Sequence, residues 1–407
     1  MTAKGGSIAL KKVADGNLCS GCGACAAIAP TAIEMQLVDP GFLRPVVLDE
    51  VAPEEDARIS SVCPGLGIAI EPDKRSDDPL WGPYVELYTG FSRDPALRHK
   101  ASSGGALSAL LVHLLESGEV DRVLQVGADN EVPFANRSVV STTSAEVIKH
   151  AGSRYAPSAP LANVGPLLES ELRHVFVGKP CDVAALRAMA RDDPRIALRI
   201  PWMLSFFCAG VPSHAGAREV LAKMGLEESD VVRFRYRGNG WPGNATATLR
   251  NGQTAKLSYS ESWGGVLSRH VQARCKICPD GTGGAADVVF ADAWETNAKG
   301  YPVFEERDGI SLVMARTERG HALVRSAEAA GRLALTPFDV GMLEGMQPGQ
   351  TSKRRLTLVR MAALRLLGRP IPEYRGFHLL ANARKAGMRA SVRNFFGTLR
   401  RGFLGRL

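Results

Sequence analysis

No run of eighteen apolar residues occurs in this 407-residue chain, so none of it reads as a membrane-crossing helix. The opening MTAKGGSIALKKVADG lacks the apolar core of a secretory leader. A reducing, cytoplasmic setting is therefore expected, in which clustered cysteines serve metals or redox chemistry rather than disulfides. No GxGxxG follows a strand-like run, which excludes the standard dinucleotide-binding turn, and the kinase glycine loop and the Walker lysine motif are absent as well. There is no internal repeat and no low-complexity tract. With 45% hydrophobic residues, the chain is long enough for two or three globular domains. Acid is scarce in one place: residues 353–407 hold 14 Lys or Arg against the single acid Glu373, leaving 36 basic and 41 acidic residues elsewhere. The net charge of +8 thus belongs to the tail. Its arginines, interleaved with Leu, Met and Phe, suit peripheral membrane contact or an acidic protein partner, and equally a packed helical extension. Nucleic acid is not expected as a partner, because the body is acidic and carries no recognition motif.

What the chain does have is patterned cysteine. Cys19, Cys22 and Cys25 stand in a CxxCxxC run with Cys63 in a later Cys-Pro-Gly, while Cys181, Cys208 and the CxxC pair Cys275 and Cys278 form a second quartet. Four thiolates suit tetrahedral zinc or one iron–sulfur cluster. The triple run favours iron–sulfur, since three loop thiolates two residues apart can wrap three corners of a cubane. Arg274 and Lys276 flank the second CxxC with charge that favours thiolates. Taken singly, each cysteine is also an ordinary buried apolar residue.

The fold expected is α/β (α+β). Residues 1–75 read as a small ferredoxin-like iron–sulfur module, and EPDKRSDDPLWGP after it as a linker. Residues 85–165 and 166–335 read as the two parts of a mixed-sheet core, and 350–407 as a basic helical tail. Ala101-Ser102-Ser103-Gly104-Gly105 precedes leucines at helical spacing, with Ser102 or Ser103 as the N-cap. VDRVLQVGA, RHVFVG, RIPWMLSFFCAG, AADVVFADAW and GISLVMAR read as buried strands. Lys179-Pro180-Cys181-Asp182 then lies between a strand and a helix, and Cys208 at a strand end, which is where open α/β sheets keep their ligands. VVRFRYR, ATATLR and TAKLSYS, separated by Gly- and Asn-Gly-bearing turns, read as an antiparallel insertion. The SSGG turn is the best candidate for a phosphate or flavin contact. KHAGSRYAPS offers Arg154 for a phosphate and Tyr155 for a ring, and Asp292 at a strand end could carry a proton, though surface-loop and core roles explain these residues as well.

Six ordered segments, CSGCGAC, KASSGGALSALLVHLLE, AGSRYAPS, VGKPCDVAALRA, SFFCAG and CKICPDGTGGAADVVFADAW, resemble the coenzyme F-420 hydrogenase/dehydrogenase beta-subunit family of iron–sulfur flavoproteins, from about Cys19 to about Arg332. Related members include 7-hydroxymethyl chlorophyll a reductase and ferredoxin-dependent divinyl chlorophyllide reductase. The resemblance implies FAD beside Ser102, Ser103, Gly104 and Gly105, with Arg154 and Tyr155 in a second contact region and Lys179 at the same site. It makes Cys181, Cys208, Cys275 and Cys278 ligands of an inner 4Fe–4S cluster, and leaves Cys19, Cys22, Cys25 and Cys63 for an outer one. Two departures stand out. Ala29, before Pro30, replaces the usual fourth ferredoxin cysteine, and ADAW replaces a Gly-Asp pair near Asp292. The function implied is an oxidoreductase that passes electrons from reduced ferredoxin, or from reduced coenzyme F-420, through two clusters to FAD and on to a small organic substrate. The alternative is an electron-transfer beta subunit of a larger complex without its own substrate. Oligomeric state is left open.

Overall fold

The computed structural model describes residues 6–297, 303 and 305–404; residues 1–5 of the expected module and 405–407 of the expected tail lie outside them. Its centre is an eight-stranded mixed sheet. Numbered in chain order, its strands are β1 Glu86–Ser92, β2 Arg122–Ala128, β3 Asn136–Ser141, β4 His174–Gly178, β5 Trp202–Phe206, β6 Val288–Asp292, β7 Ser311–Ala315 and β8 Leu333–Pro337. They lie in the order β8-β1-β7-β6-β5-β4-β2-β3. The run β6-β5-β4-β2 is parallel and the flanking pairs are antiparallel.

Burial on both faces explains why β4 (HVFVG) and β7 (SLVMA) are continuous buried runs rather than alternating ones. Val175 and Val177 pack on one face beside the helix Ala106–Glu116, whereas Phe176 points to the other face and the helix Pro180–Met189. Each such side chain contributes about 1.5–3 kcal/mol by leaving water.

The amino-terminal module holds helices Ile8–Asp15 and Pro53–Val62 around an antiparallel hairpin, Ile33–Val38 with Phe42–Val47. Ile28, Ile33 and Ile59 share one apolar core with Phe176 and Val183, so the module is fused to the sheet through the helix Pro180–Met189. The segment expected as a linker is instead ordered: Ser76–Asp78 pairs with Gly82–Tyr84, and Trp81 is buried. The antiparallel insertion forms as read, from Val231–Arg235, Ala245–Leu249 and Thr254–Leu257.

The tail folds into helices Pro348–Leu366, Leu379–Arg384 and Met388–Phe403. It is stitched to the module by a parallel pairing of Glu373–Arg375 with Gly67–Ala69. Arg354 is buried and donates from Nε to the Pro279 carbonyl at 3.0 Å.

Candidate redox site

Four parallel strands end at one sheet edge. Just beyond their carboxyl ends lies a cavity of about 300 Å³ whose lining includes Gly178, Lys179, Phe207, Cys208 and Asp292, together with Ser102, Ser103 and Gly105 from the SSGG turn. Open α/β sheets place ligands at this edge.

The turn is built differently from the serine cap expected. The helix begins at Ala106 after Gly105, which takes a left-handed conformation (φ 76°) and caps without a side-chain bond. The hydroxyls are used elsewhere: Ser102 Oγ accepts from the Ser153 backbone N–H, and Ser103 Oγ donates to the Ile310 carbonyl at 3.0 Å. Gly104 is required by sheet packing, since a Cβ there would stand 2.6 Å from Ser311 N and 2.7 Å from the Gly90 oxygen.

Two buried ion pairs frame the cavity. Lys179 Nζ donates to Asp182 Oδ2 at 2.7 Å and to Ser158 Oγ at 3.0 Å. Burial would lower the Lys179 pKa, but Asp182, with Cys181 and Cys208 adding to it, drives it up and holds the cation. The second carboxylate oxygen of Asp182 is buried without a hydrogen-bond partner. Across the site, Arg237 grips Asp292 through two bonds of 2.7 and 2.8 Å, and Trp241 Nε1 donates to the same carboxylate at 2.8 Å. Burial works against the Arg237 charge, and Asp292, together with Tyr155 and Tyr259, favours it. Asp292 is thus held by three donors, an arrangement that suits a counter-ion rather than a proton carrier.

Aromatic rings supply the apolar wall. Tyr155 packs on Trp263 at 4.8 Å between centroids, and Trp294 stacks on Trp241 at 4.8 Å. Arg154 lines the cavity, yet its guanidinium is committed to Asn136 Oδ1 and to the carbonyls of Pro133, Ala135 and Phe234. Sequence reading passed over Arg237, Trp263, Gln347 and Gln350, which come from the insertion, the segment after it and the start of the tail. The alternating arginines of RFRYR were the available signal for the first of these.

Each cysteine quartet is brought together. Cys19, Cys22, Cys25 and Cys63 line one small cavity, reached through the left-handed glycines Gly21 and Gly23 and by the end of the helix Pro53–Val62, which Cys63 caps. Gly21 N–H donates to Cys19 Sγ at 3.3 Å. Burial, reinforced by Cys63, pushes the Cys22 thiol up to about 12; burial, reinforced by Cys19, pushes Cys63 up to about 11. Cys181 opens the helix after β4 and Cys208 follows β5, and the loop bearing Cys275 and Cys278 folds over them. Burial, with Cys275 and Cys278 adding to it, raises Cys208 to about 11. Such thiols become thiolates when a cationic group binds and compensates them, and four gathered thiolates suit tetrahedral zinc or one iron–sulfur cluster. Among the described residues, no three His, Cys, Asp or Glu side chains gather around a single-ion site.

Between the quartets sits Arg274, fully buried, donating to the Pro64 carbonyl at 2.7 Å. Its charge acts on Cys19 and Cys63 on one side and on Cys181 on the other. Ile277, inside the second CxxC, packs in one apolar cluster with Cys19 and Cys63. Cys208 in turn forms part of the wall of the large cavity. The two quartets and the cavity therefore adjoin in series.

Residues 87–164 and 172–340 match the family models described as the coenzyme F420 hydrogenase/dehydrogenase beta subunit, N-terminal and C-terminal parts. The coenzyme F420 hydrogenase subunit beta of Methanococcus voltae is 27% identical over 72% of this chain and 99% of its own length. The coenzyme F420-dependent sulfite reductase of Methanocaldococcus jannaschii is 25% identical over 78% of this chain and 47% of itself. The F420-dependent formate dehydrogenase 1 subunit beta of Methanococcus maripaludis is 26% identical over 60% of each. In the solved F420-reducing [NiFe] hydrogenase complex of Methanosarcina barkeri, one chain shares the fold with a TM-score of 0.52 at 22% identity, over 70% of this chain and 96% of that one.

Proposed function

The chain belongs to the coenzyme F420 hydrogenase/dehydrogenase beta-subunit family, and we propose that it is an electron-transferring subunit of a larger oxidoreductase complex, holding two 4Fe–4S clusters and FAD. The observation that carries this reading is the serial contact from the first quartet through Arg274 and Ile277 to the second, and from Cys208 to the cavity. Cys19, Cys22, Cys25 and Cys63 would hold the outer cluster, and Cys181, Cys208, Cys275 and Cys278 the inner one. Ser102, Ser103, Gly104, Gly105, Arg154, Tyr155 and Lys179 would form the flavin wall. Bound there, FAD supplies the interchange between single electrons and electron pairs.

The chain's own residues hold the site ready. Lys179 keeps a positive charge at the strand ends, and Arg237 with Asp292 fixes the opposite wall. The unpartnered Asp182 oxygen offers an acceptor to a ligand N–H. The subunit reading takes precedence over a self-standing reductase because relatives matched over 60–72% of this chain are themselves named as subunits. Reduced ferredoxin and reduced coenzyme F420 are the two electron donors to test, and the cytoplasm is the proposed compartment.

Anaerobic purification checks the reading. About eight iron, eight acid-labile sulfides and one FAD per chain are expected, with a partner protein retained on affinity capture from the native source. Zinc without sulfide, or a flavin-free chain with a full iron complement, would overturn it.

A further inference from the structure

Where the tail packs onto the rest of the chain, cations meet one another. A small cavity of about 20 Å³ lies between residues 16–18, the loop of Cys275 and Cys278, and the helices Pro348–Leu366 and Met388–Phe403. Five cations line it: Arg274 and Lys276 on either side of Cys275, and Arg360, Arg369 and Arg401 from the tail. No carboxylate is among its described lining residues. The sequence explains the lack, because the only acid in residues 353–407 is Glu373, and it is paired with Arg375 at 2.6 Å.

The donors of this wall are only partly engaged. Arg360 donates to Asn394 Oδ1 at 3.0 Å and to the Lys276 carbonyl at 2.8 Å, Arg369 reaches the Gly402 carbonyl at 3.4 Å, and Arg401 reaches Thr398 Oγ1 at 3.3 Å. All these acceptors are neutral. Among the described residues none of the five cations is in an ion pair. The Nε atoms of Arg274 and Arg401 are buried without a hydrogen-bond partner, and Arg274 as a whole is 1% exposed. Tyr374 and the thiols of the second quartet favour the charge of Arg274. The tail arginines have no such counterweight: burial and then Arg401 lower the Arg360 pKa. A water molecule here would satisfy a donor and leave the like charges facing one another, whereas an anion answers both needs.

We propose that this cavity binds one small inorganic anion of the chloride class, which latches the tail onto the loop of Cys275 and Cys278. Its volume admits about one water-sized particle, which suits a halide and excludes phosphate or an organic acid. None of the five cations lines the large cavity, and the three from the tail fall outside residues 87–164 and 172–340, the segments shared with the family. The latch therefore does not depend on the function proposed above.

Amide hydrogen exchange of the anaerobically purified full-length chain tests it, with about 0.15 M sodium gluconate replaced stepwise by sodium chloride at constant ionic strength. Exchange in the helix Met388–Phe403 should slow saturably, by about tenfold once chloride reaches roughly ten times its dissociation constant, while the central strands stay unchanged. Arg369→Gln with Arg401→Gln should abolish that response. Arg389→Gln with Arg393→Gln, on the exposed side of the same helix, should keep it. Crystals of the wild type grown in bromide should show an anomalous peak inside the cavity.

Equal exchange of the wild-type tail in gluconate and chloride would overturn the proposal, and bromide seen without that solution response would be an adventitious ion only. Loss of the response from the Arg389 and Arg393 variant would also overturn it, since the effect would then reduce to net charge. If the inner variant undocks the tail outright, the bromide map decides: water or a protein carboxylate in the cavity refutes the latch. Zinc without sulfide in the same preparation would sink the proposed function and leave this site standing.

Discussion

Cys63 follows Cys25 after 37 intervening residues, yet it lines the same small cavity, because the helix Pro53–Val62 runs back across the module and ends on it. Replacing it isolates the outer quartet. On the function proposed above, Cys63→Ala should lose about half of the iron while retaining flavin, because Cys208, not Cys63, lies against the large cavity. A full iron complement in that variant would show that Cys63 is not a ligand. At this scale the CxxCxxC run and the CxxC pair were readable from spacing, whereas Cys63, Cys181 and Cys208 are distant in sequence and meet them only through the fold. The roles of Ser102 and Ser103 were not readable. Whether a hydroxyl caps a helix or pins a loop depends on where the helix starts, and Gly105, in a left-handed conformation, moved that start beyond both serines.

Elements are tied together by one carboxylate that lies far from the cysteines in role. Asp287, just ahead of β6, accepts from the Met203 backbone at the start of β5, from Arg187 on the helix Pro180–Met189, and from Arg319 on the helix Glu318–Ala329. Burial raises its pKa, but the Arg319 hydrogen bonds and the charges of Arg187 and Arg319 outweigh that, leaving it below the ordinary carboxylate value. The stabilisation is therefore fully present above the unfolded-chain pKa of about 3.9, and is lost as pH falls through the lower folded value. Asp287→Asn should cost about 2–4 kcal/mol at pH 7, and the gap to wild type should narrow toward pH 3. Urea unfolding at the two pH values measures both; a gap unchanged with pH would refute the assignment. The buried strands were legible because β4 and β7 are short, apolar and bounded by turns. The pairing of 76–78 with 82–84 was hidden in an acidic, proline-bearing stretch, which is anchored by the buried Trp81 and by Arg316 bonds to the Trp81 and Pro83 carbonyls.

For the whole molecule, the charge surplus of the tail was plain in composition, but its placement required the fold. The helix Met388–Phe403 turns its polar residues inward, with Asn394 bonded to Arg360 and Thr398 buried, and leaves Met388, Val392, Phe396 and Phe403 exposed beside Arg389, Arg393 and Arg400. If this face receives an acidic donor protein, neutralising the three arginines should slow reduction by ferredoxin at about 0.01 M salt. Near 1 M salt, where charge reaches only about 3 Å, wild type and variant should converge. Stopped-flow reduction at the two salt concentrations decides it, and equal rates at low salt would dismiss the role. The preceding helix, Pro348–Leu366, has the opposite task. Lys353 donates to the Cys208 and Ala209 carbonyls, and Arg354 and Arg360 reach the carbonyls of Pro279 and Lys276. That helix leaves the ribosome some seventy residues after the last cysteine it covers, so the inner quartet is complete before its cover exists. If that quartet takes iron, delivery to it has a window during translation, before this helix covers it.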